Sequence, residues 1–502
     1  MNFVQPVNKT AYNTTQNKLL DKLSVKASKV MTESAERLYN KVLTEEPDNA
    51  VVNNEHGILA HVKVTVDGTW QRRGHCSKIG VVFVISSLTG EVLDYEVKSL
   101  FCHQCKSIRR KYKLNNTLFD QWYDRHKDVC KINHSGSSDS MECDAAKSIF
   151  LRSIDQYKLV YSSFIGDGDS SSFGNVAKAC LEKYGPEYTV KKEECVGHVQ
   201  KRMGSRLRNL KKNMKGKKLS DGVSIGGRGR LTDKTVDKIQ NFYGQAIRAN
   251  PGDLKGMVDS IWAIYYHMIK GTEMELPEQH QYCPKGDASW CKYWSNRESY
   301  DESRRLAPVF LEVLKPIFKD LTDENLLGRC MLGLTQNQNE AINSVLWSKC
   351  LKTKFAGKAK VQLAVCDTVC EFNLGNGCKA EVIEELVGEV GVQTLSGLQY
   401  HDRERILNSQ RKVTGTSRIT RRKRRADKKS KGDPVKTTYL TGAFGTGTEP
   451  ELDSSIPSST GTEKESLKFI RDKDVIFLQL VDADCESGGF YRPDLLLKTA
   501  QE

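Results

Sequence analysis

Apolar and polar residues alternate with a period of two along HVKVTVD, residues 61–67, and the apolar runs IGVVFVISS and EVLDYEVKSLF follow, separated from each other only by LTG. Such alternation places successive side chains on opposite faces of a strand, so the three runs predict a short-linked antiparallel meander. Upstream, residues 16–44 repeat apolar positions at helical spacing in LLDKLSVKASKV and SAERLYNKVL, and the polar stretch EEPDNAVVNNEHG breaks the pattern. Downstream, a cysteine-bearing loop leads to a helix in DAAKSIFLRSIDQYK, a strand in LVYSSFIGD, a helix in SFGNVAKACLEKYG and a strand in EYTVKKEECV. The predicted order is therefore β-β-β-α-β-α-β, and strands that alternate with helices favour parallel pairing. From about 199 to 330 the pattern turns helical and basic, as in TVDKIQNFYGQAIRAN, GMVDSIWAIYYHMIKG and RRLAPVFLEVLKPIFKDL; NEAINSVLW then opens an amphipathic helix able to return to the sheet.

Composition narrows this picture. A chain of 502 residues with 38% hydrophobic content can bury two or three domain cores. No stretch approaches the roughly 20 apolar residues of a membrane span, and MNFVQPVNKT lacks the apolar run of an export signal, so neither membrane insertion nor export is expected. The 15 cysteines, an odd number in a lysine-rich chain, point to reduced thiols with some metal ligation in an intracellular compartment. The net charge of +14 is concentrated: residues 201–230 and residues 411–431 each hold eleven Lys or Arg against one acid. Two basic segments on a mildly acidic body imply a polyanion partner, most simply nucleic acid. Arg421, Arg422, Lys423, Arg424 and Arg425 form a polar run that reads as a nuclear-import or phosphate-binding tail.

Three carboxylates stand where such a sheet gathers them. Asp67 closes the first strand in VDGTW, Asp167 the fourth in FIGDGD, and Glu340 begins the late helix in TQNQNEAINSVLW. Hard oxygen ligands of this kind suit Mg²⁺ or Mn²⁺. Taken singly, an Asp before Gly is a turn residue and a helix-start Glu favours the helix dipole; only the order of elements joins them. Calcium is excluded at FIGDGD, because a calcium loop starting at Asp167 needs Gly and Glu where Ser172 and Lys178 stand. Glu142 is either a fourth acid near the metal or a helix-capping residue, and Trp70 is either buried or free to stack on a base.

The cysteines suggest separate chemistry. Cys102 and Cys105 are spaced Cys-x2-Cys, and Cys130 and His134 are spaced Cys-x3-His, a set that matches a structural Zn²⁺ site with His103 and His126 as alternative ligands. His280, Cys283 and Cys291 offer three more ligands, to be completed by Cys195 and His198 or by His267; the alternative is a cluster of buried thiols.

Together VDGTWQRRGH, FIGDGD, CVGHVQKR and TQNQNEAINSVLW resemble the catalytic core of Mutator-like DDE transposases, in particular an animal group of them. The resemblance covers about residues 60–380. It implies an α/β, RNase H-like mixed sheet of order β-β-β-α-β-α-β-α, with a large helical insertion before the helix that carries the last acid. On that reading residues 1–60 are an N-terminal helical and linker region, 61–198 and 331–400 the two parts of the core, 199–330 the insertion, 401–465 a basic linker and 466–502 a tail. It further implies that Asp67, Asp167 and Glu340 bind the catalytic Mg²⁺ or Mn²⁺, with Asp169 as the alternative to Asp167, and that Cys195 and His198 form the family's Cys-x-x-His pair. The expected activity is DNA cleavage at element ends followed by strand transfer, in the nucleus, by a dimer or larger oligomer. Lys201, Arg202, Arg206 and Arg208, next to that pair, are the first candidates to grip DNA phosphates. The competing readings are a DNA-binding relative without activity and an RNase H-like nuclease without strand transfer.

Overall fold

The computed structural model describes residues 8–72, 77–112, 116–166, 171–271, 275–287, 289–301, 305–414 and 420. The amphipathic N-terminal segment forms one long helix, α1 (Lys9–Glu45), started by Asn8, whose side chain accepts a hydrogen bond from the Ala11 amide. Its buried stripe runs through Leu23, Ala27, Val30, Ser34, Leu38 and Val42. There follow β1 (Ala50–Asn53), β2 (Gly57–Trp70), β3 (Ile79–Ser86) and β4 (Val92–Ser99). Residues 50–53, read from sequence as part of a polar break, pair with the start of β2 as a short hairpin arm.

After β4 the chain makes α2 (His103–Tyr112) and α3 (Asn116–His126) where a loop was expected, then α4 (Ser140–Phe150), α5 (Ser153–Tyr157), β5 (Leu159–Gly166), α6 (Ser172–Tyr184) and β6 (Lys191–Glu194). The sheet order is β4-β3-β2-β5-β6, with β1 paired to β2 off this path. The first three main strands are antiparallel, and β2, β5 and β6 are parallel. β3 is buried at every position, as the central strand of a meander covered on both faces must be. This is the RNase H-like α/β arrangement that the resemblance implies.

Period-2 alternation sorts the sheet's side chains into two cores. Val62, Val64, Val66, Val82 and Val84 pack with α4 and α6 on one face. Val81, Phe83 and Ile85 pack on the other with α1, α14 (Asn337–Lys349) and α15 (Lys358–Leu374). Burying each of these side chains contributes roughly 1.5–3 kcal/mol.

Between β6 and α14 lie α7 (Val196–Asn213), α8 (Asp233–Ala249), α9 (Leu254–Met268), the short α10 (Leu276–Gln279) and α11 (Lys292–Ser295), α12 (Phe310–Leu321) and α13 (Glu324–Gly328). Residues from Val196 to Cys330 build their own hydrophobic cluster around Tyr243, Phe310 and Phe318. The two ends of this excursion meet: the Glu194 amide donates to Arg329 O at 2.9 Å and the Val196 amide to Leu334 O at 3.0 Å. Glu194, 1% exposed, pairs with Arg202 at 2.9 Å and with Arg329 at 3.5 Å across the same junction. Long helices can thus enter the chain without separating β6 from α14. Beyond α15 come α16 (Lys379–Val387) and α17 (Val392–Val413), so the segment read as a linker from residue 401 is helical as far as Val413. Among the described residues no helix is long and apolar enough to cross a membrane. The tail at residues 466–502 lies outside the described residues.

Candidate active site and metal clusters

Asp67 does not close its strand. β2 continues through Gly68 and Thr69 to Trp70, and Asp67 stands opposite Phe83 in the antiparallel register. Gly68 is needed there for space rather than for a turn: a Cβ on it would lie 2.5 Å from Oε2 of Glu142, whose side chain comes from the first turn of α4. Glu142 therefore lies against the strand one residue beyond Asp67, and Ser172 Oγ, at the start of α6, donates to its Oε1 at 3.4 Å. Trp70 is anchored within the protein, its Nε1 donating to Ser138 O at 2.9 Å.

The helix α14 explains the motif TQNQNEAINSVLW. Gln336 Nε2 donates to Val66 O at 2.8 Å and reaches Ile165 O at 3.4 Å, and Asn339 Nδ2 reaches Phe83 O at 3.4 Å. Asn343 Nδ2 donates to Asp67 Oδ2 at 2.7 Å, and Trp347 Nε1 donates to Thr69 Oγ1 at 2.8 Å. Residues 336, 339, 343 and 347 share one helical face, so hydrogen bonds to β2, β3 and β5 fix the helix in addition to the apolar contacts of Ile342, Leu346 and Trp347. Glu340 sits one turn before Asn343, which puts the two positions ~5–6 Å apart. The helix that holds Asp67 is thus the helix that supplies Glu340.

Cys195 and His198 complete that frame. The Gln336 amide donates to Cys195 Sγ at 3.3 Å, and His198 Nε2 lies 3.7 Å from Glu340 Oε1. Burial acts to raise the Glu340 pKa, but the bond from His198 and the charge of Lys201, 3.4 Å away, hold it below the usual glutamate range. The Cys-x-x-His pair therefore positions the start of α14 and is separate from the cysteines of the insertion.

Asp167 and Asp169 lie outside the described residues; Asp167 directly follows Gly166, the last residue of β5. β5 runs parallel to β2, with Ile165 opposite Thr65. Arg421, Arg422, Lys423, Arg424 and Arg425 also lie outside the described residues.

The four cations beside the Cys-x-x-His pair all have partners within the chain. Lys201 faces Glu340, Arg202 is held by buried Glu194, Arg206 pairs with Asp320 at 2.7 Å and Arg208 with Asp237 at 2.6 Å. Further along the same basic segment Lys212, Lys215, Lys217 and Lys218 are exposed.

Two groups of thiols and imidazoles can each hold a metal ion: Cys102, Cys105, His126 and Cys130, and His267, His280, Cys283 and Cys291. In the first, His126 occupies the place that spacing gave to His134. Cys102 Sγ lies 3.3 Å from His126 Nε2, and Cys105 Sγ lies 3.5 Å from Cys130 Sγ. His134 turns instead to Asp144, 2.7 Å from its Nδ1, and to Ser140. Burial acts to raise the Cys102 thiol, but the backbone amides of Cys105 and Lys131 pull it down, while burial and the neighbouring thiols push Cys105 up. In the second group His267 completes the set and Cys195 and His198 take no part. Burial, with the nearby charges of Arg305 and His280, lowers the His267 pKa to about 3, which keeps the ring neutral.

A mixed sheet of RNase H type, with Asp67 on β2 tied through Asn343 to the helix that carries Glu340, defines the class as an α/β protein. A model of the Mutator-like transposase family matches residues 1–291, and the chain belongs to that family, whose members act on DNA. The matched residues include Asp67 and both thiol–imidazole groups; Glu340 lies beyond them. No curated protein and no solved structure matches the chain.

Proposed function

We propose that this chain is a DDE transposase that cuts DNA at the ends of an element and joins the freed 3′ ends to a target, with Asp67, Asp167 and Glu340 holding Mg²⁺ or Mn²⁺. The observation that supports this reading is the 2.7 Å bond to Asp67 from Asn343, on the helix that also carries Glu340. The residues fit hard cations. Both acids are carboxylates, and Gly68 leaves room for a further one, Glu142, beside Asp67. When bound, such ions stabilise the charge that develops during in-line displacement at phosphorus.

The chain's own groups do the rest. Asn343 fixes Oδ2 of Asp67 and so sets the orientation of its carboxylate. His198 and Lys201 keep Glu340 ionised and face the same space. The exposed lysines from Lys212 to Lys218 would hold DNA phosphates, and the exposed ion pairs of Arg206 and Arg208 are weak enough to exchange for phosphate. Arg202 is assigned a structural role at the base of the insertion. The run from Arg421 to Arg425 is assigned to nuclear import or to phosphate contact, and cleavage of two ends at once calls for at least a dimer. Zn²⁺ at Cys102, Cys105, His126 and Cys130 would fasten α2 and α3 beside β4.

Incubating the purified chain with labelled element ends, target DNA and Mn²⁺ tests this reading. Cleaved ends joined to target support a transposase. Hydrolysed ends without joined products would reduce the activity to that of an RNase H-like nuclease.

A further inference from the structure

The stretch between α9 and α12 poses a folding problem. Among the described residues from 269 to 309, regular structure consists of α10 and α11, four residues each, and one turn of 3₁₀ helix at Arg297–Ser299. Its separate core comprises Ala263, Cys283, Cys291 and Tyr293, with partly buried Tyr282, Trp294 and Tyr300 around them. So small a core cannot repay the entropy of ordering the described residues of this stretch, and domains in that position ordinarily carry a disulfide or a metal.

The polar atoms at its centre are arranged for a metal. Nδ1 of His280 lies 3.6 Å from Cys283 Sγ and 3.2 Å from Cys291 Sγ; Nδ1 of His267 lies 3.8 Å and 3.7 Å from the same sulfurs. A tetrahedral ion with Zn–S of about 2.3 Å and Zn–N of about 2.0–2.1 Å separates neighbouring S and N atoms by about 3.5 Å. All four ligand atoms lie within 4.8 Å of one another, and His280 and Cys291 are 0% exposed. Both imidazoles turn the same nitrogen inward. On His280 this leaves Nε2 2.9 Å from the Tyr300 hydroxyl, the outer-shell contact that fixes a ligating ring, while the ring stacks on Tyr293 at 4.4 Å.

We propose that His267, His280, Cys283 and Cys291 bind a structural Zn²⁺ that fastens this stretch to the end of α9. Two soft thiolates and two imidazoles in a closed, buried set favour zinc over the hard cations suited to the carboxylates, and leave no open position for a substrate. The site is independent of the nuclease or transposase reading, since its ligands lie outside the acidic centre. It also explains why two histidines and two cysteines converge in a part of the insertion with little helix of its own.

Metal content of the full chain, purified under reducing conditions, is the first test. Two zinc ions per chain are expected, one of them lost in Cys283→Ser/Cys291→Ser and the other in Cys102→Ser/Cys105→Ser. Thiol alkylation of the unmodified chain, mapped by peptide mass, guards against variants that fail to fold. Cys283 and Cys291 should resist alkylation until a chelator is added, and Trp290, whose ring lies 4.9 Å from that of His267, should lose fluorescence when Co²⁺ replaces zinc. No zinc in the chain, a zinc content that Cys283→Ser/Cys291→Ser leaves unchanged, alkylation of Cys283 and Cys291 that is indifferent to chelator, or a Cys283–Cys291 disulfide in the reduced preparation would each overturn the proposal.

Discussion

Replacing Asn343 by leucine removes the amide that donates to Asp67 Oδ2 at 2.7 Å while nearly preserving volume. Asn343 is 3% exposed, and its Oδ1 has no hydrogen-bond partner among the described residues, so the wild-type amide already carries a desolvation cost that leucine relieves. Loss of the Nδ2 bond and gain of an apolar contact should nearly cancel in stability, to within about 1 kcal/mol. The effect on Asp67 does not cancel. A hydrogen bond to a charged group contributes about 1.5–3 kcal/mol, and loss of such an outer-shell partner typically costs 10–100-fold in metal affinity or activity. Mn²⁺-dependent cleavage of labelled DNA by Asn343→Leu should therefore need about 10–100-fold more Mn²⁺ for half-maximal rate, with a melting temperature close to wild type and DNA binding unchanged. Asn343→Asp, which sets a like charge beside Asp67, should be more severely impaired at neutral pH. An unchanged Mn²⁺ requirement in the leucine variant would refute the view that α14 orients Asp67. A large drop in melting temperature would show instead that the bond serves stability.

Three further outcomes follow from the same geometry. Arg202→Ala should lower stability by about 1–3 kcal/mol in denaturant titration, because it strips one partner from buried Glu194, whereas Lys212→Ala/Lys215→Ala should leave stability unchanged and flatten the salt dependence of DNA binding. Gly68→Ala should cost about 1–3 kcal/mol, since the new methyl meets the Glu142 side chain, and Gly68→Ala/Glu142→Ala should recover most of it; equal losses in the two would contradict the packing account. His126→Ala should release the zinc of the first cluster and His134→Ala should retain it, read as zinc per chain by mass spectrometry.

Much of the sheet was legible in the sequence because alternating runs such as HVKVTVD encode both a strand and its buried face. The Asp-Gly at 67–68 misled for a physical reason: this pair usually marks a turn, and only the side chain of Glu142, some seventy residues away, explains a glycine inside a strand. His126 stood in the sequence only as an alternative to His134. Cys-x3-His spacing favoured His134, and the local signal for His126 was the aromatic stripe Phe119, Trp122 and Tyr123, which marks α3 as a helix with one face turned inward. The helix α15 escaped notice because it is buried around most of its circumference and shows little periodicity. For α14 the sequence located Glu340 but not the roles of Gln336, Asn339 and Asn343, since polar residues on a helix ordinarily face solvent. Here they face carbonyl oxygens of β2, β3 and β5 and the carboxylate of Asp67.

The central claim rests on the acids themselves. Asp67→Asn, Asp167→Asn and Glu340→Gln, each measured for DNA binding and for Mn²⁺-dependent cleavage on the same preparation with Asp169→Asn alongside, test it most directly. The account predicts that the first three bind element-end DNA as wild type does and cut none of it, while Asp169→Asn keeps most of its activity. Cleavage that survives in Glu340→Gln or Asp167→Asn would contradict it.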